Sequence, residues 1–230
     1  RLEAIFRCGV GTDNIDFDAC AARGIRVQLP SDRSQEIIFD ETSSFAVRSI
    51  LEALYRWESD LDHWFKANRP ALKERRVLLL GQGNIGRRVR TKLEPLVKVL
   101  SWDPATDGLG GLPALLSQAD VVSLHMPLDA QNRGWFGADM LATMPDGAVL
   151  VNTARGPIVD ETALLKEISL GRLRAIFDVF WEEPYTGPLA AFHPDRFVMT
   201  PHIASHCEEF VESLAQDFRD LVASMGYILD

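Results

Sequence analysis

Three polar residues in this 230-residue chain each follow a short apolar run and carry side chains suited to acid–base and anion chemistry. Arg155 comes after Val149-Leu150-Val151-Asn152-Thr153-Ala154, Glu183 after Phe177-Asp178-Val179-Phe180, and His202 after Phe197-Val198-Met199-Thr200-Pro201. A guanidinium presents a planar fork of donors that can hold a carboxylate or polarise a carbonyl. An imidazole gives or takes a proton near neutral pH, and a carboxylate beside it favours the charged ring. Taken singly, each has a plainer reading: Arg155-Gly156-Pro157 as a turn with a surface arginine, Glu183-Pro184 as an exposed loop, His202 after Pro201 as a structural histidine. Their shared position just past strand-like runs singles them out, because ligands bind at the carboxyl ends of strands in open α/β sheets. His63, His125, His193 and His206 lack that setting and read as structural.

The elements that must position these groups centre on Val77-Leu78-Leu79-Leu80, which runs into Gly81-Gln82-Gly83-Asn84-Ile85-Gly86, with Asp103 behind a second apolar run from Val97 to Trp102. A strand, a G-x-G-x-x-G turn and an acid about 20 positions on read as a dinucleotide-binding βαβ unit. Gly81 serves the tight turn, Gly83 the approach of a pyrophosphate, and Gly86 the close packing of helix on strand. Ile85, Val89 and Leu93 then fall on one helical face. With a nicotinamide in place, Arg155, Glu183 and His202 suffice to interconvert a carbonyl and an alcohol.

Further strands are predicted at Ala119 to Met126, Ala148 to Asn152, Ala175 to Val179 and Phe197 to Met199, with a helix at Glu161 to Leu170 stopped by Gly171. This alternation is the pattern of a mostly parallel sheet, so the fold class is α/β, a Rossmann-type doubly wound sheet. Upstream, an apolar run within Leu2 to Val10, a helix from Ile15 to Arg23 and a strand from Ile25 to Leu29 make a unit too small to hold a core alone. Phe45 to Trp57 reads as an amphipathic connector helix, and Cys207 to Met225 as a helix with Phe210, Leu214, Phe218 and Leu221 on one stripe. A net charge of −9 argues against nucleic acid or anionic membrane as the main partner. Cys8, Cys20 and Cys207 have neither disulfide nor zinc spacing, so no metal is expected and a cytoplasmic setting fits best.

The stretches Gly9 to Asp16, Ala22 to Ile25, Gly81 to Gly86, Asp120 to Leu128, Asn152 to Gly156, Asp178 to Phe180 with Glu183-Pro184, and Thr200 to Ser205 resemble the D-isomer-specific 2-hydroxyacid dehydrogenase family. The resemblance implies a homodimeric two-lobe enzyme that uses NAD, acts on a small 2-keto or 2-hydroxy acid, and has its active site in the cleft. Carried over by position, Arg155 orients the substrate, His202 is the acid or base, and Glu183 pairs with His202. Val10 and Gly11 match a loop whose backbone N–H groups grip the substrate carboxylate. Asn84 and Ile85 match pyrophosphate contacts, Asp103 the adenosine ribose contact, and Pro127, Thr153, Ala154 and Asp178 the nicotinamide side. Ala204, close behind His202, belongs to the same implied cofactor set, as do Arg155 and His202 themselves.

The same resemblance divides the chain into residues 1–44, part of a flavodoxin-like substrate domain whose first portion is expected to precede this chain; 45–204, the NAD-binding domain with its connector helix; and 205–230, a helix returning toward the substrate domain. Departures are local. Arg90 stands where the family usually has a small residue against the sheet, Asn132 replaces a common threonine, and Ser31 to Phe45 lacks the usual signatures apart from Glu41-Thr42. Trp57, Leu61, Trp64 and Phe65 are the expected dimer-forming residues. Two alternatives stand beside the dehydrogenase: a catalytically silent, NAD(H)-sensing interaction protein of the corepressor type, and a phosphite dehydrogenase. A formate dehydrogenase fits less well, because that branch resembles a His–Gln rather than a His–Glu pair.

Overall fold

The computed structural model describes residues 1–55, 64 and 68–227, and the chain divides into two compact units, Arg1–Thr42 with Ser205–Asp230, and Ser43–Ala204. In the first unit, β1 (Ala4–Phe6) and β2 (Arg26–Gln28) pair in parallel around α1 (Phe17–Ala22). Asp16 caps α1 by accepting from the Ala19 N–H at 2.8 Å, satisfying a first-turn donor that has no partner inside the helix.

Helix α2 spans Asp32–Tyr55 and so begins at Asp32 rather than at Phe45. The missed turns are rich in serine and acids, which hide a helical stripe. Their polar atoms are satisfied by partners distant in sequence. Ser34 Oγ bonds to Ser213 Oγ at 2.6 Å and donates to Asp217 at 2.7 Å, and Asp217 also accepts from the Ser31 N–H. Burial pulls the Asp217 carboxyl upward, but the donors from Ser34 and Ser31 outweigh it and leave it below the usual range.

The second unit alternates strands and helices: β3 (Arg76–Leu80), α3 (Asn84–Leu93), β4 (Lys98–Trp102), α4 (Leu112–Leu116), β5 (Val121–Leu124), α5 (Ala138–Thr143), β6 (Val149–Asn152), α6 (Glu161–Ser169), β7 (Arg174–Phe177) and β8 (Phe197–Met199). After them α7 (Glu208–Ser224) rejoins the first unit, where Phe218 packs on Phe6 with ring centroids 5.8 Å apart. The strands form one parallel six-stranded sheet in the order β4-β3-β5-β6-β7-β8. Because side chains alternate along a strand, each face carries its own core. Leu78, Leu80, Leu124 and Phe177 meet Leu112, Leu141 and Leu164 of α4, α5 and α6. Val77, Leu79, Val121 and Val151 meet Val89 and Leu93 of α3 and Ala46 and Ile50 of α2. Each fully buried aliphatic side chain contributes about 1.5–3 kcal/mol, so these two layers hold strands too short to stand alone.

From β3 the chain steps to β4 on one side and later crosses to β5 on the other. That reversal opens a crevice outside the carboxyl ends of β3 and β5. The two departures noted in the sequence do not disturb it. Arg90 is exposed, paired with Glu94 at 2.5 Å, and donates from one guanidinium nitrogen to Ser101 Oγ on the edge strand β4 at 3.5 Å. Asn132 ties its own loop, accepting from Asp129 N and donating to the Pro127 carbonyl. Among the described residues no helix is long and apolar enough to cross a membrane. Of the expected dimer-forming residues, Trp57, Leu61 and Phe65 lie outside the described residues, as does His63, and Trp64 is exposed.

Candidate active site

Strand β3 ends where Gly81 turns with φ +100°, its N–H donating to the Trp102 carbonyl at 2.8 Å. The turn is fixed by how closely its backbone is approached. A Cβ built on Gly86 would stand 2.0 Å from the Gly81 oxygen, and one on Gly81 would stand 2.7 Å from the His125 oxygen. Only glycine lets α3 start so near the strand ends. A Cβ on Gly83 would meet nothing within 4 Å, so the outer side of the turn is open. Helix α3 has no side-chain cap at Gly83, which leaves the first-turn N–H groups around Asn84, Ile85 and Gly86 for an external anion.

Asp103 closes the other side. Its carboxylate accepts from Gln82 N at 2.6 Å and from Ala105 N at 2.9 Å, while its own N–H donates to Asp107. Two acids therefore sit at this edge, and one is locked to the glycine-rich turn. Backbone donors for a pyrophosphate, a fixed carboxylate for ribose hydroxyls and a side-chain-free approach suit a dinucleotide.

At the far strands, a buried side chain organises each loop. Asn152, fully buried at the end of β6, accepts from Ala154 N at 3.0 Å and donates to the Arg155 carbonyl at 2.9 Å, which fixes the turn carrying Thr153, Ala154 and Arg155. Arg155 is half-buried and extends from that turn, with one guanidinium nitrogen on the Ala154 carbonyl. Asp178, 1% exposed beyond β7, accepts from Thr200 Oγ1 at 2.6 Å, Ile203 N at 3.0 Å and Ala204 N at 2.8 Å. These bonds hold the loop whose middle residue is His202.

His202 adopts φ +53°, the left-handed region that non-glycine residues seldom occupy, so the surrounding bonds over-determine its position. Its Nδ1 lies 2.8 Å from Glu183 Oε2, and Glu183 Oε1 accepts from the Phe180 N–H at 3.1 Å. Behind Glu183, Phe180 stacks on Tyr185, whose hydroxyl donates to Glu161 at 2.6 Å and accepts from Leu189 N. Burial and the Glu161 carboxylate push the Tyr185 phenol upward, so it stays a donor.

The structure thus brings Glu183 and His202 into contact and places Arg155, Thr153, Ala154, Asp178 and Ala204 on the loops of the same three strand ends. Pro127 is exposed just past β5. Val10 and Gly11 belong to the first unit, where Arg7 Nε donates to the Gly11 carbonyl at 2.6 Å. Three contributors to the geometry of these loops escaped the sequence reading. Asn152 and Gln82 act through a side chain or backbone group whose partner is known only once the turn is built. Gly156 is one: a Cβ there would stand 2.1 Å from the Phe180 carbonyl carbon, so the Arg155 loop seats the residue that donates to Glu183. His125 is buried, and among the described residues neither of its ring nitrogens has a hydrogen-bond partner. Among the described residues no group of His, Cys, Asp and Glu is arranged to hold a metal.

Comparison with known proteins matches residues 46–204 to the D-isomer specific 2-hydroxyacid dehydrogenase NAD binding domain, and residues 1–36 to the catalytic domain of the same family. The chain is 31% identical to a hydroxypyruvate reductase of Thermotoga maritima over 227 residues, covering 91% of this chain and 72% of that protein. It is 33% identical to an (S)-sulfolactate dehydrogenase of Chromohalobacter salexigens, covering 93% and 74%. Among solved structures, the TT0316 protein of Thermus thermophilus superposes with a TM-score of 0.80 at 28% identity, covering 98% of this chain and 76% of that one.

Proposed function

Because the chain belongs to the D-isomer specific 2-hydroxyacid dehydrogenase family and is an NAD-dependent oxidoreductase, we propose that it interconverts a 2-keto acid and a D-2-hydroxy acid, with His202 as the acid or base. The observation that carries this reading is the His202–Glu183 contact at 2.8 Å. A bond from Nδ1–H to a carboxylate fixes the tautomer and leaves Nε2 as the nitrogen that exchanges a proton with the substrate oxygen. NAD, when bound, takes up or supplies the hydride at the substrate's C2.

In reduction, His202 gives a proton from Nε2 to the oxygen of the former carbonyl, while Glu183 holds the ring through its Nδ1 contact. Arg155 aims its fork at the substrate's carboxylate and carbonyl oxygen, polarising the carbonyl. Backbone N–H groups of Val10 and Gly11 hold the carboxylate. Gly81, Gly83, Asn84, Ile85 and Gly86 receive the pyrophosphate, Asp103 the ribose, and Pro127, Thr153, Ala154, Asp178 and Ala204 the nicotinamide side. In this reading residues 1–44 serve the substrate and residues 45–204 the cofactor. Two relatives are named for hydroxypyruvate and sulfolactate, so small 2-keto acids with a second polar group at C3 lead the substrate panel. The test is NADH oxidation against hydroxypyruvate, glyoxylate, sulfopyruvate and a phosphorylated analogue. Turnover with none of them, in a chain that binds NADH, rejects the reading and leaves the silent sensor. The assembly that goes with it is a homodimer, and sedimentation as a monomer at micromolar concentration would reject that part alone.

A further inference from the structure

The Glu183 carboxylate is held at both oxygens: Oε2 lies 2.8 Å from His202 Nδ1, and Oε1 accepts from the Phe180 N–H at 3.1 Å. Where the Phe180 backbone stands therefore decides where the carboxylate stands. On one side that backbone has no slack, since a Cβ on Gly156 would be 2.1 Å from the Phe180 carbonyl carbon and 2.4 Å from its oxygen. The other constraint is a side chain. The Phe180 ring stacks on Tyr185 with centroids 5.1 Å apart and planes 17° from parallel. Tyr185 is itself wedged: a Cβ on Gly187 would stand 2.5 Å from its Cζ, its hydroxyl donates to Glu161 at 2.6 Å, and that oxygen accepts from Leu189 N at 3.2 Å. Trp181 and Phe197 close round the ring at centroid distances of 5.7 and 6.4 Å.

These anchors lie on the segment that follows Arg155. Glu161 opens α6, Trp181 Nε1 donates to the Val159 carbonyl at 2.7 Å, and the short turn Gly156–Ile158 joins both anchors to Arg155. The Glu183 loop is thus fastened to the Arg155 loop at Gly156, Val159 and Glu161. A leucine or phenylalanine could fill the space beside Phe180, but only the phenol adds a directional bond to a carboxylate. Burial and the Glu161 contact push the Tyr185 phenol upward, which keeps the proton that makes this bond. We propose that Tyr185 is a positioning residue: braced on Glu161, it fixes the Phe180 backbone and through it the orientation of the Glu183 carboxylate toward His202. The inference rests on the assignment of His202 and Glu183 to proton transfer and adds Tyr185 and Glu161 to it. Tyr185 acts only through Glu183, so its effect is conditional on that carboxylate.

A double-mutant cycle reads this condition. Tyr185→Phe removes one oxygen and keeps the ring. With a 2-keto acid from the panel, kcat should fall roughly three- to tenfold, because small misplacements of a reacting group are costly, while the NADH dissociation constant stays at its wild-type value. In a Glu183→Gln background the same substitution should cost less than about twofold. Glu161→Ala should repeat the loss, and Glu161→Gln, which keeps an acceptor for the phenol, should restore kcat to within about twofold of wild type. By NMR, the His202 ring nitrogens in Tyr185→Phe should move toward their positions in Glu183→Gln. Equal losses from Tyr185→Phe with and without Glu183, or His202 nitrogens unmoved by it, would overturn the proposal and leave Tyr185 a packing residue. If Glu183→Gln and His202→Asn both turn over at the wild-type rate, the acid–base reading has failed and the brace falls with it. A large loss in those two variants beside an additive loss at Tyr185 marks the brace alone as wrong.

Discussion

The two ends of the crevice are built by different means. At β3 and α3 the geometry is set by missing atoms, since Gly81 and Gly86 let three pieces of backbone approach to distances that no Cβ permits. At β6, β7 and β8 it is set by added ones: buried Asn152 and Asp178 reach across loops and collect the backbone groups that carry Arg155 and His202. The first device gives a rigid cradle for something the protein must admit and release. The second holds two titratable side chains in one arrangement while leaving them in reach of solvent, His202 45% and Glu183 39% exposed. On the proposed reading, binding and proton transfer depend on separable parts of one sheet, and substitutions can set the two apart.

The widest separation is expected from His202→Asn. Turnover should fall by roughly two or more orders of magnitude, the usual scale of general acid–base catalysis, with NADH affinity near wild type. Near-normal kcat would assign the proton to another group. Gly86→Ala attacks the opposite end. A methyl group 2.0 Å from a backbone oxygen forces α3 away from the turn, and overpacking of about 1–3 kcal/mol should weaken NADH binding roughly ten- to hundredfold in a titration. An unaltered dissociation constant would show that the turn yields cheaply.

Asp178→Asn sharpens the comparison, because it keeps shape and changes only what the side chain accepts. An amide oxygen can still receive Thr200 and Ile203, but the amide nitrogen then faces the Ala204 N–H, donor against donor. The cost of about 1–3 kcal/mol should appear as a lower melting temperature together with a lower kcat, because the disturbed loop carries His202. Lost stability with intact turnover would mean that Asp178 does not position the histidine. The smallest effect belongs to Asp103→Ser. Removing a charge that repels a 2′-phosphate should narrow the preference for NADH over NADPH by severalfold, read as the ratio of their dissociation constants. A ratio already near one in the wild type would deny Asp103 that role.

The same contrast explains what was legible in the sequence. The cradle is local: strand, glycines and acid follow one another from Val77 to Asp103, and their spacing states their geometry. The apolar runs likewise mark the strands that build the sheet. The loops of Arg155, Glu183 and His202 were legible as positions past strands, but Asn152, Asp178 and Gly156 do their work through residues on neighbouring loops, and the strand order must be known before those partnerships exist. The first turns of helix α2 are hidden in the sequence because Ser34, Thr42 and Ser43 interrupt its apolar stripe; all three are buried, and Ser34 and Ser43 bond to Asp217 and Lys92, far away in sequence.

The left-handed backbone at residue 202 filters the side chains that can succeed the histidine. Asparagine, aspartate and glycine enter that conformation readily, whereas valine, isoleucine and threonine must first break the loop. On the proposed reading, a lineage that gave up the chemistry would drift through that narrow set, keeping the loop's outline after the ring was gone.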